Sequence, residues 1–202
     1  MTQNKVMNKI IAITGGIGSG KSTALEILNK LGYKSFNADI IYKDLLLNED
    51  FTLEISRALS VEPILIGGRL TLDRKAVAAL VFKDESALNK LNSITHPLIM
   101  KEMIKRAKEC DGLVFCEVPL LFEGGYENLF DCVFVVKRNN GKRFESVVKR
   151  DGKSLEQVKS IAQKQFDYNK ISQNEHTFII ENDGDEIRLA EKLKVAIQQI
   201  EN

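Results

Sequence analysis

The chain has 202 residues, 44% of them hydrophobic and 28% charged, with a formal net charge of +1. That length supports one sizeable domain with its own core and room for an inserted helical subdomain. A nearly neutral molecule does not bind nucleic acid through its overall field, and the composition is that of an ordinary soluble globular protein.

In chain order, the first apolar run is "KIIAIT" (9–14), followed by the glycine-rich "GGIGSGKS" (15–22). "KSTALEILNKLG" then carries apolar residues at helical spacing, with Gly32 placed to end the helix. Further strand-like runs are "YKSFN" (33–37), "LVFCEV" (113–118), "CVFVVK" (132–137) and "TFIIEN" (177–182). Apart from the second they are continuous rather than alternating, as in strands buried on both faces. Strands alternating with helices predict an α/β fold, here a five-stranded parallel sheet flanked by helices.

The spacing is uneven. About 75 residues of mostly helical pattern separate the second and third runs, too many for one crossover. They predict a helical insertion over roughly 40–110, in which "GGRLTLDR" (67–74) is a turn leading into a helix. Pro97 should interrupt or start a helix within 86–110. The stretch 141–175 is polar and helical, with Ser154 and Gln157 spaced as a capping box, and 186–200 is an amphipathic terminal helix. One domain is expected: a core of about 1–39, 111–140 and 176–202, the insertion, and a lid of about 141–175.

Gly15, Gly20, Lys21 and Ser22 satisfy G-x-x-x-x-G-K-[ST] between a strand and a helix. Residues Gly15, Gly16, Ile17, Gly18, Ser19, Gly20, Lys21, Ser22 and Thr23 are therefore expected to cradle nucleotide phosphates. Lys21 brings a compact positive charge to the β- and γ-phosphates, and Ser22 a hydroxyl for Mg²⁺. Asp39 follows the second strand, at the sheet edge where ligands bind in open α/β folds. An acid there can accept the proton of an attacking hydroxyl, bind Mg²⁺, or simply cap the helix beginning "DIIYKDLL". Glu117 ends an apolar strand; it either holds Mg²⁺ through water or is a buried acid paired with a lysine or arginine. A guanine-specific N-K-x-D motif is not met, since "NKIS" (169–172) lacks the acid.

Several segments together resemble the dephospho-coenzyme A kinase family, over nearly the whole chain. They are "IAITGGIGSGKST", "NADII" (with Asn37 in place of the family's first acid), "LDRKAVAALVFKDESALNKLNSITHPLI", "EVPLLFEGGYENLFD", "KRDGKSLEQ" and "FIIENDG". The resemblance implies a P-loop kinase that uses ATP and Mg²⁺ to phosphorylate the 3′-hydroxyl of dephospho-coenzyme A. It makes Asp39 the catalytic base, with Lys21 and Arg150 as catalytic cations. The family's lid pattern R-x-x-x-R-D is met by Arg150 and Asp151 but has Ser146 at its first position; Arg143 stands as its substitute. Ile161 occupies another expected arginine position, while the expected Gln165 is present.

Other positions carry paired readings. Arg74 contacts acceptor phosphate or anchors the insertion; His96 is a buried structural histidine or an acceptor contact. Pro119, Leu120 and Phe122 form pocket wall or core, and Glu123 binds the acceptor or caps the next segment. Arg150 binds phosphate when the lid closes or lies on a solvated helix face, and Asn182 and Gly184 follow the last strand, where adenine would sit. His176 is a surface residue. A different small-molecule kinase, or a non-catalytic nucleotide-binding regulator, are the competing functions.

Three cysteines, Cys110, Cys116 and Cys132, show no metal-ligand spacing and suit a reducing compartment. With no secretory pattern in "MTQNKVMNKI" and no apolar run near about 18 residues, the expectation is a cytoplasmic monomer or weak homo-oligomer without nucleic-acid or membrane partners.

Overall fold

A computed structural model describes residues 8–201, so the first seven residues of the stretch read for a secretory signal lie outside the described ones. The described residues form two compact units, one from the stretches up to Asn37 and from Arg106 onward, the other Ala38–Lys105.

The first unit is built on five parallel strands: β1 (Lys9–Thr14), β2 (Lys34–Asn37), β5 (Leu113–Glu117), β6 (Cys132–Lys137) and β7 (Thr177–Glu181). Their order is β2-β5-β1-β6-β7, with β1 at the centre. β1, β5 and β6 are almost wholly buried, which is why their sequences run apolar without alternation. Ile11, Ile13, Phe115, Phe134 and Val136 pack against α1 (Lys21–Lys30) and α8 (Glu186–Glu201) through Leu25, Leu28, Leu189, Leu193 and Ile197. Register brings Ile13 and Asn37 to either side of Glu117, so the carboxyl ends of three strands share one edge. Two helices complete this unit after β6: α6 (Asn140–Asp151), and α7 (Leu155–Lys164) with the Ser154–Gln157 capping box formed.

The second unit holds α2 (Ala38–Leu45), α3 (Glu49–Leu59), β3 (Ile64–Ile66), β4 (Arg69–Thr71), α4 (Arg74–Lys83) and most of α5 (Glu85–Lys108). Its own small core gathers Phe51, Ile55, Leu59, Leu72, Val77 and Ala87. Three features differ from the sequence reading. β3 and β4 form a hairpin, where only a turn and helix were expected. Gly67 and Gly68, with φ of 59° and 79°, make the two-residue turn whose twist suits paired strands. Pro97 neither starts nor breaks a helix but lies inside continuous α5. It sits on the exposed side, as does Ser93, whose carbonyl water can serve in place of the missing N–H. Asp39 is not an N-cap, because α2 already begins at Ala38; the acid lies in the first turn, where the helix dipole favours it.

Candidate active site

The loop from Gly15 to Gly20 leaves the central strand and turns into α1. Gly15, Gly18 and Gly20 hold φ of 147°, 73° and 99°. Neighbours crowd the loop from outside: a Cβ on Gly15 would run into the Val136 carbonyl, one on Gly16 into the Arg143 guanidinium, one on Gly20 into the Asn182 amide. No side chain caps α1, so its first N–H groups face outward at the positive end of the helix. Glycines here are a packing requirement as well as a conformational one.

Lys21 donates from Nζ to the carbonyls of Gly15 (2.9 Å) and Gly16 (3.3 Å). Burial holds its pKa below the ordinary lysine value; the Glu117 charge opposes that shift and the Arg150 and Arg143 charges add to it. These groups therefore act on one another around the loop. Glu117 is buried at 4% exposure, and its two oxygens have different donors: Ser22 Oγ at 3.1 Å and Asn37 Nδ2 at 2.7 Å. A hydroxyl and an amide hydrogen-bond these oxygens, and the charges of Lys21 and Arg150 interact with the carboxylate as well. Ser22 and Glu117 give a pair of hard oxygens at the loop, the donor type that suits Mg²⁺ bound chiefly through a nucleotide's phosphates. Among the described residues no cluster of three or more His, Cys, Asp or Glu could hold a metal alone.

The two arginines of α6 differ. Arg143 lies against Gly16, its guanidinium 4.9 Å over the Phe144 ring, with Nε buried. Ser146, at the expected arginine position, instead donates its hydroxyl to the Arg143 carbonyl at 2.7 Å. Arg150 is exposed and forked onto Asp151 through bonds of 2.6 and 3.0 Å, which raises the arginine pKa. Its charge still reaches Lys21 and Glu117.

Asn182 is buried and fully engaged: Nδ2 donates to the Ser19 carbonyl at 2.8 Å and Oδ1 accepts from Gly184 N at 2.9 Å. It clips the turn after β7 to the loop. Arg138, which the sequence reading passed over, lies against Gly184. After β5, Pro119 and Leu120 are half-buried while Leu121 is fully buried, and Phe122 joins an aromatic trio with Phe166 (5.1 Å) and Tyr168 (6.1 Å). Glu123 accepts from Phe166 N at 2.8 Å, so this oxygen does not cap the segment that follows it. Gln165 Oε1 accepts from Ile17 N at 2.7 Å.

Within the second unit, Asp39 and Arg74 are exposed at the first turns of α2 and α4, and the Arg74 charge acts on Tyr42, one turn along α2 from Asp39. Arg74 follows Asp73, whose carboxylate caps α4 through Lys75 N and Ala76 N. His96 is half-buried in α5, where desolvation lowers its pKa. His176 is exposed.

A phosphate loop leaving the central strand of a parallel sheet, with helices α6 and α7 after β6, marks a P-loop kinase. Solved structures agree on the fold: a shikimate kinase from Acinetobacter baumannii superposes with a TM-score of 0.54 at 14% identity, covering 96% of each chain. The dephospho-CoA kinase family model matches residues 9–187. A dephospho-CoA kinase from Chlorobaculum tepidum is 34% identical over 188 residues, 89% of each chain. One from Thermus thermophilus is 33% identical over 192 residues, 95% of this chain and 91% of its own. The solved structure of a dephospho-CoA kinase from Campylobacter jejuni has a TM-score of 0.66 at 31% identity, covering 96% of this chain and 98% of its own. The chain belongs to the dephospho-CoA kinase family, and its substrate-level chemistry is that of an ATP-using kinase acting on an alcohol.

Proposed function

We propose that this protein transfers the γ-phosphoryl group of ATP to the 3′-hydroxyl of dephospho-coenzyme A, giving coenzyme A and ADP, the last step of coenzyme A synthesis. The observation that carries this reading is a complete donor loop, with Lys21 and the Ser22–Glu117 pair in place, inside a chain matched by the family model from residue 9 to 187.

In this mechanism the loop amides and the start of α1 bind the phosphates, and Lys21 offsets the charge that spreads over the transferring group. Asp39 orients the acceptor hydroxyl and takes its proton as the oxygen attacks phosphorus. Arg150, held by Asp151, and Arg143 add positive charge from the lid side. Mg²⁺, held by Ser22 and, through water, by Glu117, would supply further charge neutralisation. Arg74, His96, Pro119, Leu120, Phe122 and Glu123 are assigned to the acceptor, and Gly184 with Asn182 to the nucleotide's base side. Transfer is direct and in line, because among the described residues no side chain is placed to form a covalent intermediate. Among the described residues no helix is long and apolar enough to cross a membrane; a cytoplasmic monomer or weak homo-oligomer is the accompanying proposal.

The test is coupled ADP release from Mg·ATP with dephospho-coenzyme A, AMP, dTMP, CMP or shikimate as acceptor. Turnover with dephospho-coenzyme A alone, and coenzyme A by mass, is expected. Turnover with a different acceptor alone would overturn the substrate, and ATP binding without any turnover would overturn the kinase.

A further inference from the structure

After α7 the chain does not simply return to β7. Over four residues it fastens to three other parts of the core unit. Gln165 Oε1 accepts the Ile17 N–H of the phosphate loop at 2.7 Å. Phe166 N–H donates to Glu123 Oε1 at 2.8 Å, on the loop after β5. The Tyr168 hydroxyl donates to the Pro119 carbonyl at 3.4 Å, where that same loop begins. Its single proton being used there, the Thr14 hydroxyl is left to donate to the tyrosine oxygen at 3.3 Å.

Two of these bonds are short and two are long; of the long ones, the Thr14 bond is buried and the Pro119 bond part-buried. Thr14 is 0% exposed and Tyr168 7% exposed, and the Tyr168 ring is walled by Phe122 at 6.1 Å and Phe166 at 5.7 Å. A buried hydroxyl that loses its partner keeps its desolvation cost, so long bonds in such a place still constrain. Thr14 ends β1 and Pro119 follows β5; Tyr168 therefore spans the starts of two neighbouring loops.

We infer that Gln165–Tyr168 is a positioning strap that fixes the spacing between the phosphate loop and the Pro119–Glu123 loop. It acts through Gln165 on Ile17 and through Tyr168 on Thr14 and Pro119. None of these side chains needs to touch a reacting atom. This rests on the proposed function in one respect, the assignment of the Pro119–Glu123 loop to the acceptor. The strap then sets the separation of donor and acceptor, which enters kcat steeply, since a misplacement of about 1 Å costs up to about a hundredfold. It also divides the expected lid in two: α6 carries both arginines, Arg143 and Arg150, while 165–168 belongs to the fixed frame.

Tyr168→Phe and Gln165→Met, alone and combined, are the test. The expected result is a fall in kcat of about tenfold in each single variant, with the Kd for a non-hydrolysable ATP analogue within about twofold of the parent. The double variant should lose little more than either single one, because the strap is one unit. Amide hydrogen exchange, read without substrate, should quicken over both Thr14–Ile17 and Val118–Glu123 in Tyr168→Phe. A lowered melting temperature with unchanged kcat, additive losses, or quickened exchange in only one segment would each overturn the strap. If the parent itself fails to turn over dephospho-coenzyme A, the substrate reading falls, and the exchange result alone still decides the strap.

Discussion

The phosphate loop and the helical unit Ala38–Lys105 are built on opposite principles. Around the loop, groups are held by defined polar partners: Glu117 by Ser22 and Asn37, Ser19 by Asn182, Ile17 by Gln165. In the helical unit the core is apolar, Phe51, Ile55, Leu72 and Val77, while the candidate residues Asp39 and Arg74 stand exposed at helix starts. The contrast separates two tasks. Phosphate recognition needs preorganised donors that cost nothing to arrange at the moment of reaction. If Asp39 and Arg74 serve the acceptor as proposed, their exposed positions let specificity change there without rebuilding that unit's core.

Four experiments break or sharpen that division. The largest effect is expected from Lys21→Ala, which should lower kcat by about 10³-fold while circular dichroism stays unchanged; a variant with parental kcat would remove the loop from the chemistry. Asp39→Asn should cost between about 10² and 10⁴-fold in kcat with nucleotide binding retained. Loss of nucleotide affinity there instead would move Asp39 from the acceptor side to the donor side. Asn182→Ala should lower folding stability by about 1–3 kcal/mol in urea titration, since Ser19 O and Gly184 N lose a buried partner. An equal loss from Arg74→Ala would erase the contrast between the two regions.

The smallest effect is expected at His96. Desolvation sets its folded pKa below the ordinary histidine value of about 6.5, so the unfolded chain binds the proton more readily. Its neutral form contributes stability above about pH 6.5 that is lost as pH falls toward the lower folded value. His96→Gln should flatten the slope of stability against pH below that point, and an unchanged slope would place the dependence elsewhere.

What the sequence made legible was local. "KIIAIT", "LVFCEV" and "CVFVVK" are buried on both faces and read directly as interior parallel strands, and "GGIGSGKS" carries its own geometry. The hairpin was legible too, in "ILIGGRLT", but a prevailing helical pattern on either side masked two three-residue strands. The supports of the site were not legible. Thr14 and Tyr168 lie 154 positions apart, Phe166 and Glu123 lie 43 apart, and Asn37 meets Glu117 only because β2 and β5 pair in that register. Such pairs have no signature along the chain. Ser146 shows the opposite error: the missing arginine was visible, but not that its hydroxyl would fold back onto the Arg143 carbonyl.

The cysteines have a consequence for the protein's handling of its own chemistry. Dephospho-coenzyme A and coenzyme A each end in a free thiol, a standing partner for mixed disulfides. Attack in such an exchange comes from thiolate, and access limits it. Cys116 lies fully buried in β5, where burial pushes its pKa up to about 12, and Cys132 is buried at the start of β6 with its pKa also raised. Only Cys110, at the end of α5, is partly open to solvent. The strands that shape the active site thus keep their sulfur buried, and oxidative capture of coenzyme A is confined to Cys110, just before β5.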